Sequence, residues 1–170
     1  MPMSTSTLFA SLFKYKAKAN EDLFAAVAAL DASGKQEALH AAIRVLNHVY
    51  VVDRIFRAHL TGEAHGFTAT NTTETPTLAA LRDLVQESDG WYVNYTRKLG
   101  PAEIGQQIDF LFTDGKQGRM SREEILAHVV THGGYHRGAV GRILDQNSAT
   151  RPPDSFTNFL HRSEPDRRVV

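Results

Sequence analysis

Four long stretches in which apolar residues recur at three- and four-residue steps constrain this chain more than any other feature. Over residues 7–30 the series is Leu8, Leu12, Tyr15, Ala19, Leu23, Ala26 and Leu30, the period of an amphipathic helix. Ser33-Gly34 ends it. A second series over 36–60 runs through Ala41, Val45, Val49, Val52, Phe56 and Leu60, with Gly62 placed as a C-cap. Residues 62–75 are rich in Gly, Thr, Asn and Glu and have no period. A loop of about a dozen residues is long enough for a lid or a crossover.

Pro76 sits where a first-turn proline is tolerated. The third helix then runs to about residue 99, with Leu78, Leu81, Leu84, Val85, Ser88, Trp91, Tyr92 and Tyr95 as its inner face. Gly100-Pro101 stops it. From 104 to 120 the period changes. Ile108, Phe110 and Phe112 alternate with Asp109 and Leu111, and Asp114-Gly115 offers a turn, so this stretch reads as a short β-hairpin or an extended crossover. Ser121 and Glu124 form a capping box that opens a last long helix, from 122 to about 145. Pro152-Pro153 prevents its continuation. In the tail, from about 148, Asp154 or Ser155 caps a short turn through Phe156, Phe159 and Leu160. Four long helices with one apolar face each predict an all-α four-helix bundle. At 170 residues the length suits one domain spanning the chain.

Charge and cysteine content narrow the chemistry. Nineteen basic residues balance nineteen acidic ones, with no basic face of the kind that binds nucleic acid. No apolar run reaches the ~18 residues of a membrane span, and residues 1–6 lack the pattern of a signal peptide. A cytoplasmic protein is the expectation. There is no cysteine, so any metal must be held by His, Asp or Glu.

Eight histidines are the compositional oddity, and three of them, His128, His132 and His136, follow at four-residue steps on the last long helix. Imidazoles at i and i+4 project from one face about a turn apart and can reach one ion. Three in a row span roughly 12 Å of helix axis, too far for one ion. On a wheel stepped by about 100° per residue from Ile125, His132 falls near −20°, His136 near +20° and His128 near −60°. The first two point inward and His128 lies on the flank. A buried histidine held by an ordinary hydrogen bond is the plainer alternative, but two inward imidazoles are costly without something to satisfy them. The same helix carries Gly133, Gly134, Gly138 and Gly141, each costing about 1 kcal/mol relative to alanine. Close approach of another helix or room beside an ion are the candidate reasons, with simple loose packing or a dimer contact as the plainer ones.

A third ligand must come from another helix at the same level. His132 and His136 straddle the middle of their helix, and His48 is at the middle of the second. His59 is near that helix's end and His40 near its start. His65 reaches the site only if the loop folds over it, and His161 lies in the tail. On level, His48 is the best partner, at the edge of the apolar stripe.

These residues carry a family resemblance. Tyr15-Lys16-Ala17-Lys18-Ala19-Asn20 is similar to the Tyr-x-x-x-Ala-Asn opening of the DinB/YfiT-like superfamily of bacterial four-helix-bundle metalloproteins, with Lys18 where members often have tryptophan. The segment from His48 to Phe56 resembles the family's second-helix histidine segment, and His132-x-x-x-His136-Arg137-Gly138 its fourth-helix signature. The resemblance implies an up-down-down-up bundle with a long crossover between the second and third helices. It implies a zinc or nickel site on His48, His132 and His136, and a homodimer. It also implies metal-assisted transfer or isomerisation of a small-molecule substrate with a low-molecular-weight thiol.

Two other functions compete. Hydrolysis needs a general base, for which Asp53, Tyr50 and Tyr135 are nearest in sequence, although Tyr135 reads more simply as packing against a neighbouring helix. Arg137 reads as a structural ion pair. A non-catalytic metal site in a stress or damage response would close with a fourth ligand such as His128 or Asp53.

Overall fold

The computed structural model describes residues 5–167. Residues 1–4, part of the segment read above as lacking a signal peptide, lie outside the described residues. The chain is mostly helical. Helix α1 spans Thr5–Ala32, α2 Gln36–Thr61, α3 Leu78–Lys98 and α5 Arg122–Gln146. A single turn, α4 (Pro101–Ile104), and an antiparallel hairpin of β1 (Gln107–Leu111) and β2 (Gln117–Ser121) separate α3 from α5, and α6 (Phe156–Ser163) lies in the tail. Among the described residues no helix is long and apolar enough to cross a membrane.

Local chemistry sets the boundaries. Gly34 and Gly62 take left-handed backbone after α1 and α2, a conformation that costs glycine least. Thr77 caps α3 by accepting from the Ala80 N–H, so Pro76 precedes the cap instead of opening the helix. The Ser121–Glu124 capping box forms reciprocally, with bonds of 3.2 and 2.6 Å. Ser155, not Asp154, caps α6. In the hairpin Phe110 pairs with Gly118, and Gly115 supplies the left-handed turn residue. Helix α5 ends at Gln146, before the prolines, because Asn147 caps it and Ser148 takes left-handed backbone.

The buried face of α1 matches the expected one in part, at Ala19, Leu23 and Leu30. Phe9, Phe13, Leu23, Phe24, Val27 and Leu30 are buried, whereas Leu8 is exposed. The true face is turned toward the phenylalanines, and it carries two polar residues, Lys16 and Asn20, that are also buried. Leu84 of α3 is likewise exposed. α1 packs on α3, α5 and α2, and α2 packs on α5 and α3. The core falls into two apolar clusters. One gathers Val27, Leu46, Val51, Leu81, Val140 and Leu144; the other gathers Phe13, Phe56, Tyr92, Phe110, Ile125 and Val129. Along each helix the polar residues Lys16, Asp53, Asp89 and Arg137 fall between members of the two clusters. His132 and His136 occupy the same interval of α5.

Candidate metal centre

His48 on α2 meets His132 and His136 on α5. Their ring centroids are 4.5–5.0 Å apart, and one ligand nitrogen from each lies within 4.8 Å of the other two. The loop between α2 and α3 sets the His48 ring. His48 Nδ1 is 2.7 Å from the Thr70 carbonyl oxygen. A carbonyl only accepts, so Nδ1 carries the proton and the lone pair of the neutral ring is on Nε2. The loop is held to α2 by its own bonds: Asn47 Nδ2 donates to Asn71 Oδ1 and Thr72 Oγ1, Arg44 donates to the Thr72 carbonyl, and Asn71 donates to that of Arg44.

His48 Nε2 faces His132 Nε2 at 3.1 Å. Two nitrogens each about 2.0–2.1 Å from one tetrahedral ion stand roughly 3.3 Å apart, so the spacing suits a shared cation. His132 Nδ1 is buried with no partner, a further sign of a ring oriented by something besides its own hydrogen bonds. Burial lowers the His132 pKa to about 3, reinforced by His136, His48 and His128. His136 is lowered by burial and then by His48. Both rings are therefore neutral, as ligands must be, at neutral pH.

The remaining histidines stand apart from this cluster. His128 packs beside His132 and against Phe56. His59 stacks on Phe110 and meets His65 edge-on, and burial lowers its pKa to about 4. His65 accepts from the Phe67 N–H, so the loop reaches the cluster through Thr70 instead. His40 is exposed. His161 is half-buried and bonds the Thr157 carbonyl of its own helix.

The candidate bases have other roles. Asp53 Oδ2 accepts from Lys16 Nζ at 2.7 Å. Tyr50 is buried and its hydroxyl accepts from Arg54. Tyr135 is 77% exposed, contrary to the expectation that it packs on a neighbouring helix, and stands edge-on to His136. Arg137 does form the expected ion pair, with Asp154, at 2.7 Å through Nε.

Sequence reading missed the buried polar layer behind the cluster. Lys16 is fully buried and donates to both Asp53 and Asp89 at 2.7 Å, and Asn20 donates to Asp89. Burial disfavours the Lys16 ammonium, but the two carboxylates outweigh it and hold its pKa above the usual value. Burial pushes the Asp53 carboxyl up to about 6 against the pull of Lys16. The signal was present: Lys16 is four residues after Leu12, Asp53 four after Val49 and Asp89 four after Val85, so each charge lies in an apolar stripe. Two of the helix glycines make room for side chains. A Cβ on Gly133 would stand 3.3 Å from Lys16 Cε and from Arg137 Nη1, and one on Gly141 would stand 2.6 Å from Arg151 Cδ.

The protein is mostly helical, and three imidazoles converge from two facing helices in an arrangement that could hold a metal ion. The DinB family model matches residues 3–167, and the chain belongs to the DinB family. No curated protein and no solved structure matches it.

Proposed function

We propose that His48, His132 and His136 hold one divalent ion, zinc or nickel, and that the chain is a metal-dependent transferase or isomerase acting on a small-molecule substrate with a low-molecular-weight thiol. The observation that carries this is a cluster made of three imidazoles, joined among the described residues by no carboxylate and no fourth histidine. An ion held by such ligands keeps its full charge and an open position, and it acidifies a thiol or water that binds there. The chain's own part is orientation. Thr70 fixes the His48 tautomer, and α5 presents His132 and His136 one turn apart. Cysteine is absent, so the thiol is borrowed. Transfer then forms a bond from thiol sulfur to an electrophilic carbon; the leaving group departs with its electron pair, and the thiol proton passes to solvent.

Hydrolysis is less well supported, because Asp53 is bonded to Lys16 and Tyr50 to Arg54. A closed site for stress or damage sensing needs a fourth protein ligand, and neither His128 nor Asp53 joins the cluster. The order of contacts supports the up-down-down-up course with its long crossover. Phe13 meets Tyr92 and Lys16 meets Asp89, so α1 and α3 run oppositely. His48 meets His132 and Leu60 meets Arg122, so α2 and α5 run oppositely as well. A cytoplasmic homodimer with one domain per chain completes the proposal on the family's pattern.

The test is metal analysis of the purified protein, followed by a transfer screen with several cellular thiols and a general electrophile. Stoichiometric metal and thiol-dependent turnover, both lost in His48→Ala, are expected. A metal-free protein that takes up neither zinc nor nickel would sink the reading.

A further inference from the structure

We infer that Asp53 is the positioning residue of the centre: its free carboxylate oxygen accepts, through one buried water, the hydrogen bond that the Nδ1–H of His132 donates, and so fixes His132 with its Nε2 lone pair toward the ion. This rests on the metal reading above. Two orphaned atoms carry it. Among the described residues three buried side-chain polar atoms have no partner: His132 Nδ1, Asp53 Oδ1 and Ser88 Oγ. With Nε2 offered to an ion, a neutral His132 holds its proton on Nδ1, which becomes a buried donor without an acceptor. Asp53 Oδ1 is a buried acceptor without a donor. Each such group costs the full desolvation of a polar atom unless it is matched.

Lys16 links the two neighbourhoods. Lys16 Nζ is 2.7 Å from Asp53 Oδ2. The stem of the same lysine lies 3.3 Å from where a Cβ on Gly133 would stand, at the residue next to His132. Gly133 therefore leaves room for Lys16, which holds Asp53, beside the residue next to His132. Asp53 is on α2, which packs directly on α5, whereas Ser88 is on α3, which packs on α1 and α2. Ligating histidines commonly give their second ring N–H to a carboxylate, and loss of that partner costs roughly 10- to 100-fold in metal affinity.

Asp53→Asn gives a sharp test. Lys16 only donates, so the amide oxygen must face Lys16 and the amide N–H2 must face His132. Donor then meets donor across the water, and the ring is driven to the tautomer whose Nε2 carries the proton and cannot bind metal. Zinc affinity by chelator competition should fall roughly 10- to 100-fold, and the cobalt absorption spectrum should change. Asp89→Asn removes a charge from the same lysine on its other side and should leave zinc affinity within about threefold. Equal losses in the two variants, or wild-type affinity in Asp53→Asn, would overturn the inference while leaving the metal reading intact. If Asp53→Asn does not fold, imidazole ¹⁵N–¹H NMR of the zinc-loaded wild-type chain decides instead. A slowly exchanging His132 Nδ1 proton shifted downfield by a hydrogen bond is expected there, and an Nδ1 proton with neither the shift nor the slow exchange overturns the inference. A wild-type chain that takes up no zinc overturns both.

Discussion

His48 Nε2 and His132 Nε2 face each other across 3.1 Å while the other nitrogen of His48 is held by the Thr70 carbonyl. The metal-free protein can relieve this only by placing a proton between the rings, and His132 then keeps a buried Nδ1 with no partner. A cation satisfies both lone pairs at once. Zinc at about 100 times its dissociation constant should therefore stabilise the fold by about 2.7 kcal/mol. For a chain of this size that raises Tm by about 5–10 °C, measured by calorimetry with zinc and with excess chelator. An unchanged Tm would mean that the cluster is held by protons alone.

Single alanine variants should sort the histidines. His48→Ala, His132→Ala and His136→Ala should each lower zinc affinity by more than the roughly 10- to 100-fold lost with an outer partner. His128→Ala and His59→Ala should keep the metal, because their rings pack on Phe56 and Phe110 outside the cluster. Titration with a chromophoric chelator distinguishes them; strong loss in His128→Ala would move the site one turn along α5.

Much of this was legible in the sequence, and for a physical reason. Helices of 26 and 25 residues that pack along their length bring their middles together, so His48 falls opposite His132 and His59 does not. The hairpin was readable from Phe110 and Gly115 because strand alternation and turn chemistry are local. The first half of the face of α1 was not, because Leu8, Leu12 and Tyr15 trace a stripe as regular as that of Phe9 and Phe13, and because Lys16 looks like a residue for solvent. Its burial depends on Asp53 and Asp89, 37 and 73 residues away, and no local pattern announces such partners. The contact of Thr70 with His48 was equally hidden, since the loop has no period to set its register.

The Asp53 carboxyl gives a pH signature of the metal-free fold. Lys16 on α1, Asp89 on α3 and Arg137 on α5 are the charges around it. Its folded pKa, raised by burial to about 6, exceeds its ordinary 3.8, so the folded state binds the proton more tightly. That stabilisation is fully present below about pH 4 and is lost as pH rises through about 6. The gap corresponds to about 3 kcal/mol. Asp53→Asn cannot titrate, so the stability of wild type relative to this variant should fall by about that amount between pH 4 and 7. Urea unfolding in chelator at each pH measures the difference. A rise with pH would reverse the sign and show that Lys16 dominates the carboxyl.

The glycines of α5 separate room that is used from room that is not. A Cβ on Gly138 meets nothing within 4 Å, so Gly138→Ala should stabilise the helix by about 0.8–1.0 kcal/mol through propensity alone and leave zinc affinity unchanged. A Cβ on Gly133 stands 3.3 Å from both Lys16 Cε and Arg137 Nη1. Lys16 is fully buried between Asp53 and Asp89 and has nowhere to retreat without lengthening two charged hydrogen bonds. Gly133→Ala should therefore forgo the propensity gain and end less stable than Gly138→Ala by about 1–3 kcal/mol, the usual cost of overpacking a core. Paired urea melts of the two variants measure this difference. Equal stabilisation by both would mean that Lys16 does not press on α5, and that Gly133 has another reason to be glycine.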